Sequence, residues 1–135
     1  MLAAVGAAGC VDLSSHQSSV TLWDTQLTPA VGYPGLSGQA AAVSDASGTS
    51  VGIAIHGAAS GAQHAWGLRF GNCAAPAQQI GSNADYPLLV VGTTGSDSVE
   101  THLGFSLTPG SLYHVAVRVS ASDTSRIACG DLVAR

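Results

Sequence analysis

Lysine does not occur in this 135-residue chain; its four cations are Arg69, Arg118, Arg126 and Arg135, set against eight carboxylates. A net charge of −4 argues against general nucleic-acid binding, which needs a surplus of cations against phosphate. Glutamate occurs once, at Glu100, so strong helix formers are scarce, while glycine reaches 17 residues. That balance, with turn residues recurring every ten or so positions, favours a small all-β domain over a helical one. Charged residues make up only 9% of the chain, which suits a secreted or envelope protein. No apolar run approaches the roughly 20 residues that a transmembrane helix needs. There is no Gly-x-Ser-x-Gly elbow, no P-loop and no Gly-x-Gly-x-x-Gly following a strand. The carboxylates are scattered, so no glycosidase-type pair can be argued.

What is present divides the chain into three parts. Residues 1–10 are small and apolar and end in Ala7-Ala8-Gly9-Cys10, which resembles a bacterial lipobox with Cys10 as the lipidated residue. Such a protein is held at a membrane because acyl chains partition into the leaflet at about 0.8 kcal/mol per CH2. No basic n-region precedes Leu2, and the alternative is the remnant of an ordinary cleaved signal peptide. Residues 11–19 are Ser-rich and aperiodic and read as a flexible tether. Residues 20–135 form the domain, long enough to bury one core.

Hydrophobic alternation predicts eight short strands there: 20–27, 39–43, 49–56, 66–70, 88–91, 101–107, 112–119 and 126–133. Val51, Ile53 and Ile55 share one face; Trp66, Leu68 and Phe70 point inward with Gly67 and Arg69 outward. Leu103, Phe105 and Leu107, then Val115, Val117 and Val119, repeat the pattern, leaving His102, His114, Ala116 and Arg118 outward. Residues 74–87 read as a long irregular excursion. Eight such strands predict an all-β sandwich or flattened barrel.

Two segments carry more. Gly61-Ala-Gln-His64-Ala-Trp66-Gly67-Leu-Arg69-Phe-Gly71-Asn-Cys73 and Arg126-Ile-Ala128-Cys129-Gly130 together resemble the copper/zinc superoxide dismutase family. That family carries a G-x-H-G-F-H-x-H-x-x-G-x-C type segment and closes on R-x-A-C-G. The resemblance implies a Greek-key β-sandwich, a Cys73–Cys129 disulfide, and a structural role for His64, hydrogen-bonded to loop backbone. An oxidising envelope compartment would favour the bridge; two buried free thiols are the alternative. The family's two copper histidines on the central strand fall on Gly67 and Arg69, and its late-strand histidine falls on Arg118. The loop that supplies the family's zinc ligands holds only Asp85 here, whereas zinc takes about four ligands.

The resemblance therefore implies the fold without its cofactors: a non-catalytic, metal-free envelope domain, lipid-anchored or periplasmic or extracellular. It also brings Arg69, Arg118 and Arg126 to the former metal cleft, a patch suited to a small anion or a protein partner because guanidinium forks grip carboxylates and phosphates. The competing expectation is that these arginines pair with Asp123, Asp131 or other carboxylates. A second function remains open, a superoxide dismutase or copper-binding protein using the residual histidines His56, His64 and His114. Read singly, His56, His102 and His114 are surface residues on separate strands.

Overall fold

A computed structural model describes residues 20–135. The expected lipidation at Cys10, the leader at 1–10 and the tether at 11–19 lie outside the described residues. Among the described residues there is no α-helix, and so none long and apolar enough to cross a membrane. The domain is all-β, with strands β1 (Thr21–Pro29), β2 (Ser37–Asp45), β3 (Gly48–His56), β4 (Gln63–His64), β5 (Trp66–Gly71), β6 (Pro76–Gln79), β7 (Leu89–Val90), β8 (Asp97–Leu103), β9 (Tyr113–Arg118), β10 (Arg126–Asp131) and β11 (Val133–Ala134). Their main sheet runs β6-β5-β9-β10-β1-β2-β3-β8 with every pairing antiparallel, and it curls into a flattened half-barrel. β11 pairs with β1, and β4 with β7.

Period-two alternation explains which face closes inward. Val51, Ile53 and Ile55 on β3, Trp66 and Leu68 on β5, and Val115 and Val117 on β9 all enter one buried cluster. Trp66 is 1% exposed; its indole N–H donates to the Pro87 carbonyl at 2.7 Å, and its ring meets Tyr86 edge-on at 5.0 Å between centroids. At the opposite end Phe70 packs on Phe105 and Tyr113, and Tyr113 on Trp23. The β2–β3 hairpin turns at Ala46-Ser47, where the Asp45 carboxylate accepts from the Ser47 amide and hydroxyl. Gly48 follows at φ +127°, and a Cβ there would lie 2.1 Å from the Leu103 carbonyl oxygen, so this position admits only glycine.

Strand ends differ from the sequence reading at several places, the strand expected at 39–43 running Ser37–Asp45, and three differences bear on the packing. The 74–87 excursion is not irregular throughout: β6 pairs back onto β5, a 3-10 turn spans Asn83–Asp85, and Ile80 and Tyr86 enter the core. Gly71 at φ +83° reverses the chain into that return. The polar Pro-Ala-Gln-Gln of β6 has no alternation by which to announce a strand. The strand expected at 101–107 instead runs Asp97–Leu103. Beyond it Leu107 is buried and Phe105 half-buried, but side chains take over from the ladder: the Thr49 hydroxyl donates to the Phe105 carbonyl at 2.6 Å, and the Leu107 amide donates to Ser44 Oγ at 2.8 Å. Third, the last strand ends at Asp131, and Leu132 turns inward, its amide donating to the Tyr113 carbonyl.

Ser44 is 1% exposed, so Ser44→Ala strands the buried Leu107 N–H. The expected cost is about 1–3 kcal/mol, read as a lower urea midpoint with unchanged slope. A midpoint equal to that of the wild type would show that the contact contributes nothing.

Candidate functional site: the outer face of β5, β9 and β10

The outer face of the three strands is read off their pairing. Arg69 of β5 stands opposite His114 of β9, and His114 opposite Asp131 of β10. One row along, Gly67, Ala116 and Cys129 align. Directly paired residues share a face, and Leu68, Val115 and Val117 occupy the inner one, so these two rows look outward.

Arg126 reaches that face through a bulge. It pairs with Arg118, whereas two residues on Ala128 pairs with Val117, so Ile127 is the extra residue of β10. Ile127 is 1% exposed and fills the core. The inserted residue shifts the alternation and turns Arg126 outward beside Arg118. Two cations thereby become direct cross-strand partners, a placement that is destabilising for like charges unless something neutralises them.

Within the described residues nothing does. The one ion pair is Arg135–Asp24 at 2.6 Å, remote in sequence and on another strand. Asp123 is turned into its own loop, accepting from the Ser125 amide, and Asp131 Oδ1 accepts from the Cys73 amide at 2.7 Å. The expected pairing of Arg69, Arg118 or Arg126 with Asp123 or Asp131 is therefore not found. Arg118 Nη2 lies 3.4 Å from Asn83 Oδ1, which also accepts from Gln79 Nε2 at 3.0 Å. Partial burial, with the Arg69 charge second, lowers the Arg118 pKa, so Arg118 and Arg69 feel one another. Arg126 Nη1 donates to the Cys73 carbonyl at 3.0 Å.

The Cys73–Cys129 disulfide is present and folds the segment after β5 over this face. Around Cys73 three ties converge: the bridge itself, the amide to Asp131 and the carbonyl to Arg126. His114 lies on the outward side of β9, as alternation requires, but it is not a surface histidine. It is 0% exposed, and neither ring nitrogen has a hydrogen-bond partner. Burial chiefly lowers its pKa, Arg69 and Arg126 push the same way, and the Gly71 backbone and Asp131 oppose. β9 therefore carries a buried imidazole whose nearest hydrogen-bonding group is the Gly71 backbone, outside good hydrogen-bond geometry.

The other histidines stand apart from it. His64 is 9% exposed, and its Nδ1 donates to the Val119 carbonyl at 2.9 Å, with the Arg118 carbonyl at 3.2 Å. His56 is exposed and meets Ser96 Oγ; His102 is exposed and meets Ser50 Oγ. No three of His, Cys, Asp or Glu gather at metal-binding distance among the described residues. Beside the guanidinium groups, which carry no lone pair for a metal, the outer face offers only His114 and Asp131 among the described residues, short of the roughly four ligands that zinc takes, so zinc does not fit there. Burial pushes the Tyr86 hydroxyl, which donates to the Ile80 carbonyl, up to about 12, so it is no acid–base group at neutral pH.

Two residues at this site escape sequence reasoning. Gln79 covers Gly67, where a Cβ would meet its Oε1 at 2.3 Å, and Asn83 bridges Gln79 to Arg118. Both belong to the excursion that lacks periodicity, and no signal in the sequence marks them. Neither a family model nor a curated protein matches the chain.

Proposed function

We propose that this chain is a non-catalytic, metal-free binding domain of copper/zinc superoxide dismutase-like ancestry and Greek-key course, tethered to the bacterial envelope through Cys10. Its outer β5–β9–β10 face takes an oxyanion or an acidic partner on Arg69, Arg118 and Arg126. One observation carries the reading: Arg118 and Arg126 are direct cross-strand partners with Arg69 nearby, and no carboxylate of the described residues pairs with any of the three. Three of four cations thus share one face of a chain whose net charge is −4. A guanidinium binds a carboxylate or phosphate through two parallel hydrogen bonds, and a bound anion would also relieve the repulsion between the paired arginines. The bridge between Cys73 and Cys129, and the His64 ring bonded to loop backbone, support the ancestry.

Titration of the domain with inorganic phosphate, sulfate and acetate tests the reading. Saturable binding is expected, weakening with added salt and falling roughly tenfold or more in Arg69→Ala and in Arg118→Gln, the loss of one charge-assisted contact. Absence of binding, or binding unchanged in Arg69→Ala, would end it.

A further inference from the structure

The β1–β2 connection, the β3–β4 connection and the bulge residue Ile127 line a partly open pocket of about 280 Å³. Its apolar side chains are those of Pro34, Leu36, Ala58, Ala59 and Ile127; Tyr33, His64 and the glycines 32, 35 and 57 make up the rest of the lining.

His64 supplies the one oriented side-chain polar group. Two carbonyl oxygens, of Val119 and Arg118, flank Nδ1 at 2.9 and 3.2 Å, so the proton of the neutral ring sits on Nδ1. Nε2 is then a bare acceptor, and no group of the described residues donates to it. The residue is 9% exposed and its ring is held against rotation by the Nδ1 bond, so the acceptor's direction is fixed. The walls are fixed as well. Tyr33 N donates to Ala30 O, Leu36 N to Tyr33 O, and Ala58 N to Gly95 O, so three of the lining amides are bonded within the protein. The two connections touch backbone to backbone: a Cβ on Gly57 would fall 1.9 Å from the Gly35 carbonyl oxygen. A largely apolar pocket with one fixed side-chain acceptor favours a ligand of matching chemistry.

We propose that this pocket binds a small planar aromatic molecule carrying one O–H or N–H donor, the ring against Tyr33, Pro34 and Ile127 and the donor on His64 Nε2. The volume suits a single-ring or fused two-ring compound. The inference is independent of the arginine patch, which contributes no side chain to the lining.

Phenol is the probe, and benzene its counterpart without the donor. The His64 ring signals are followed by NMR during titration of each into the domain. Phenol is expected to shift them saturably, with benzene binding several-fold more weakly, the worth of one neutral hydrogen bond. Ala58→Met fills the cavity and is expected to abolish the phenol shift while the Trp66 indole signal keeps its position. No saturable shift, equal affinity for phenol and benzene, or undiminished phenol binding in Ala58→Met would each overturn the proposal.

Discussion

Replacing Cys73 and Cys129 together by serine is expected to lower the domain's stability by about 4 kcal/mol, most of what a domain of this size has to spare. The bridge joins residues 56 positions apart and encloses β6 to β9, so its loss returns a large loop's freedom to the unfolded chain. The effect reaches past stability. The Cys73 amide and carbonyl hold Asp131 and Arg126, two of the groups that face His114. Opening the bridge frees Arg126 from one of its contacts and is expected to expose the His114 imidazole to water. Urea unfolding with and without reductant measures the first effect, and histidine reactivity toward diethyl pyrocarbonate the second. An unchanged midpoint on reduction, with His114 still protected, would contradict both.

His114→Phe is expected to stabilise the domain by about 1–3 kcal/mol at neutral pH, against the usual sign for a core substitution. The wild-type ring holds two nitrogens out of water without a well-formed hydrogen bond, and phenylalanine fills the site without them. The pH dependence follows from the lowered pKa. Below the ordinary value of 6.5 the unfolded chain takes a proton that the folded ring refuses, so acid favours unfolding. Stability is therefore lost as pH falls from that value toward the folded pKa, at up to about 1.4 kcal/mol per pH unit. The groups facing the ring are Arg69, Arg126, Asp131 and the Gly71 backbone, and the two arginines reinforce the loss. Comparing urea midpoints at pH 7 and pH 5 isolates this share, since the other histidines are common to both proteins. Parallel pH profiles for wild type and variant would show that His114 does not carry it.

The contrast between these two residues shows what alternation can and cannot convey. Val51, Ile53, Ile55, Trp66, Leu68, Val115 and Val117 declare the inner face because one side of each strand meets the core, and all seven are buried there. The same period places His114 outward, correctly, but burial from the outer side depends on a segment tied down by a distant cysteine. No local pattern encodes that. The bulge at Ile127 is equally silent: strict alternation from Ala128 would turn Arg126 inward, and the extra residue reverses it. Residues 104–107 carry strand-like alternation without strand pairing, because Ser44 and Thr49 side chains satisfy their backbone. β6 is the opposite case, a paired strand with no alternation, since Gln79 turns back over Gly67 while the strand's remaining residues face solvent. Of the candidate site, the three arginines could be named from the sequence; that Arg118 and Arg126 stand opposite one another, with Asn83 and Gln79 beside them, required the pairing of strands.

The proposed metal-free arginine face is tested most directly by elemental analysis after loading the purified domain with copper and zinc, with dismutase activity assayed on the same sample. No retained metal and no activity is the predicted result, since Gly67, Arg69 and Arg118 offer no donor atoms and His56, His64 and His114 form no common ligand set among the described residues. Stoichiometric copper with activity would contradict it and would mean that histidines now apart in the fold come together around a metal.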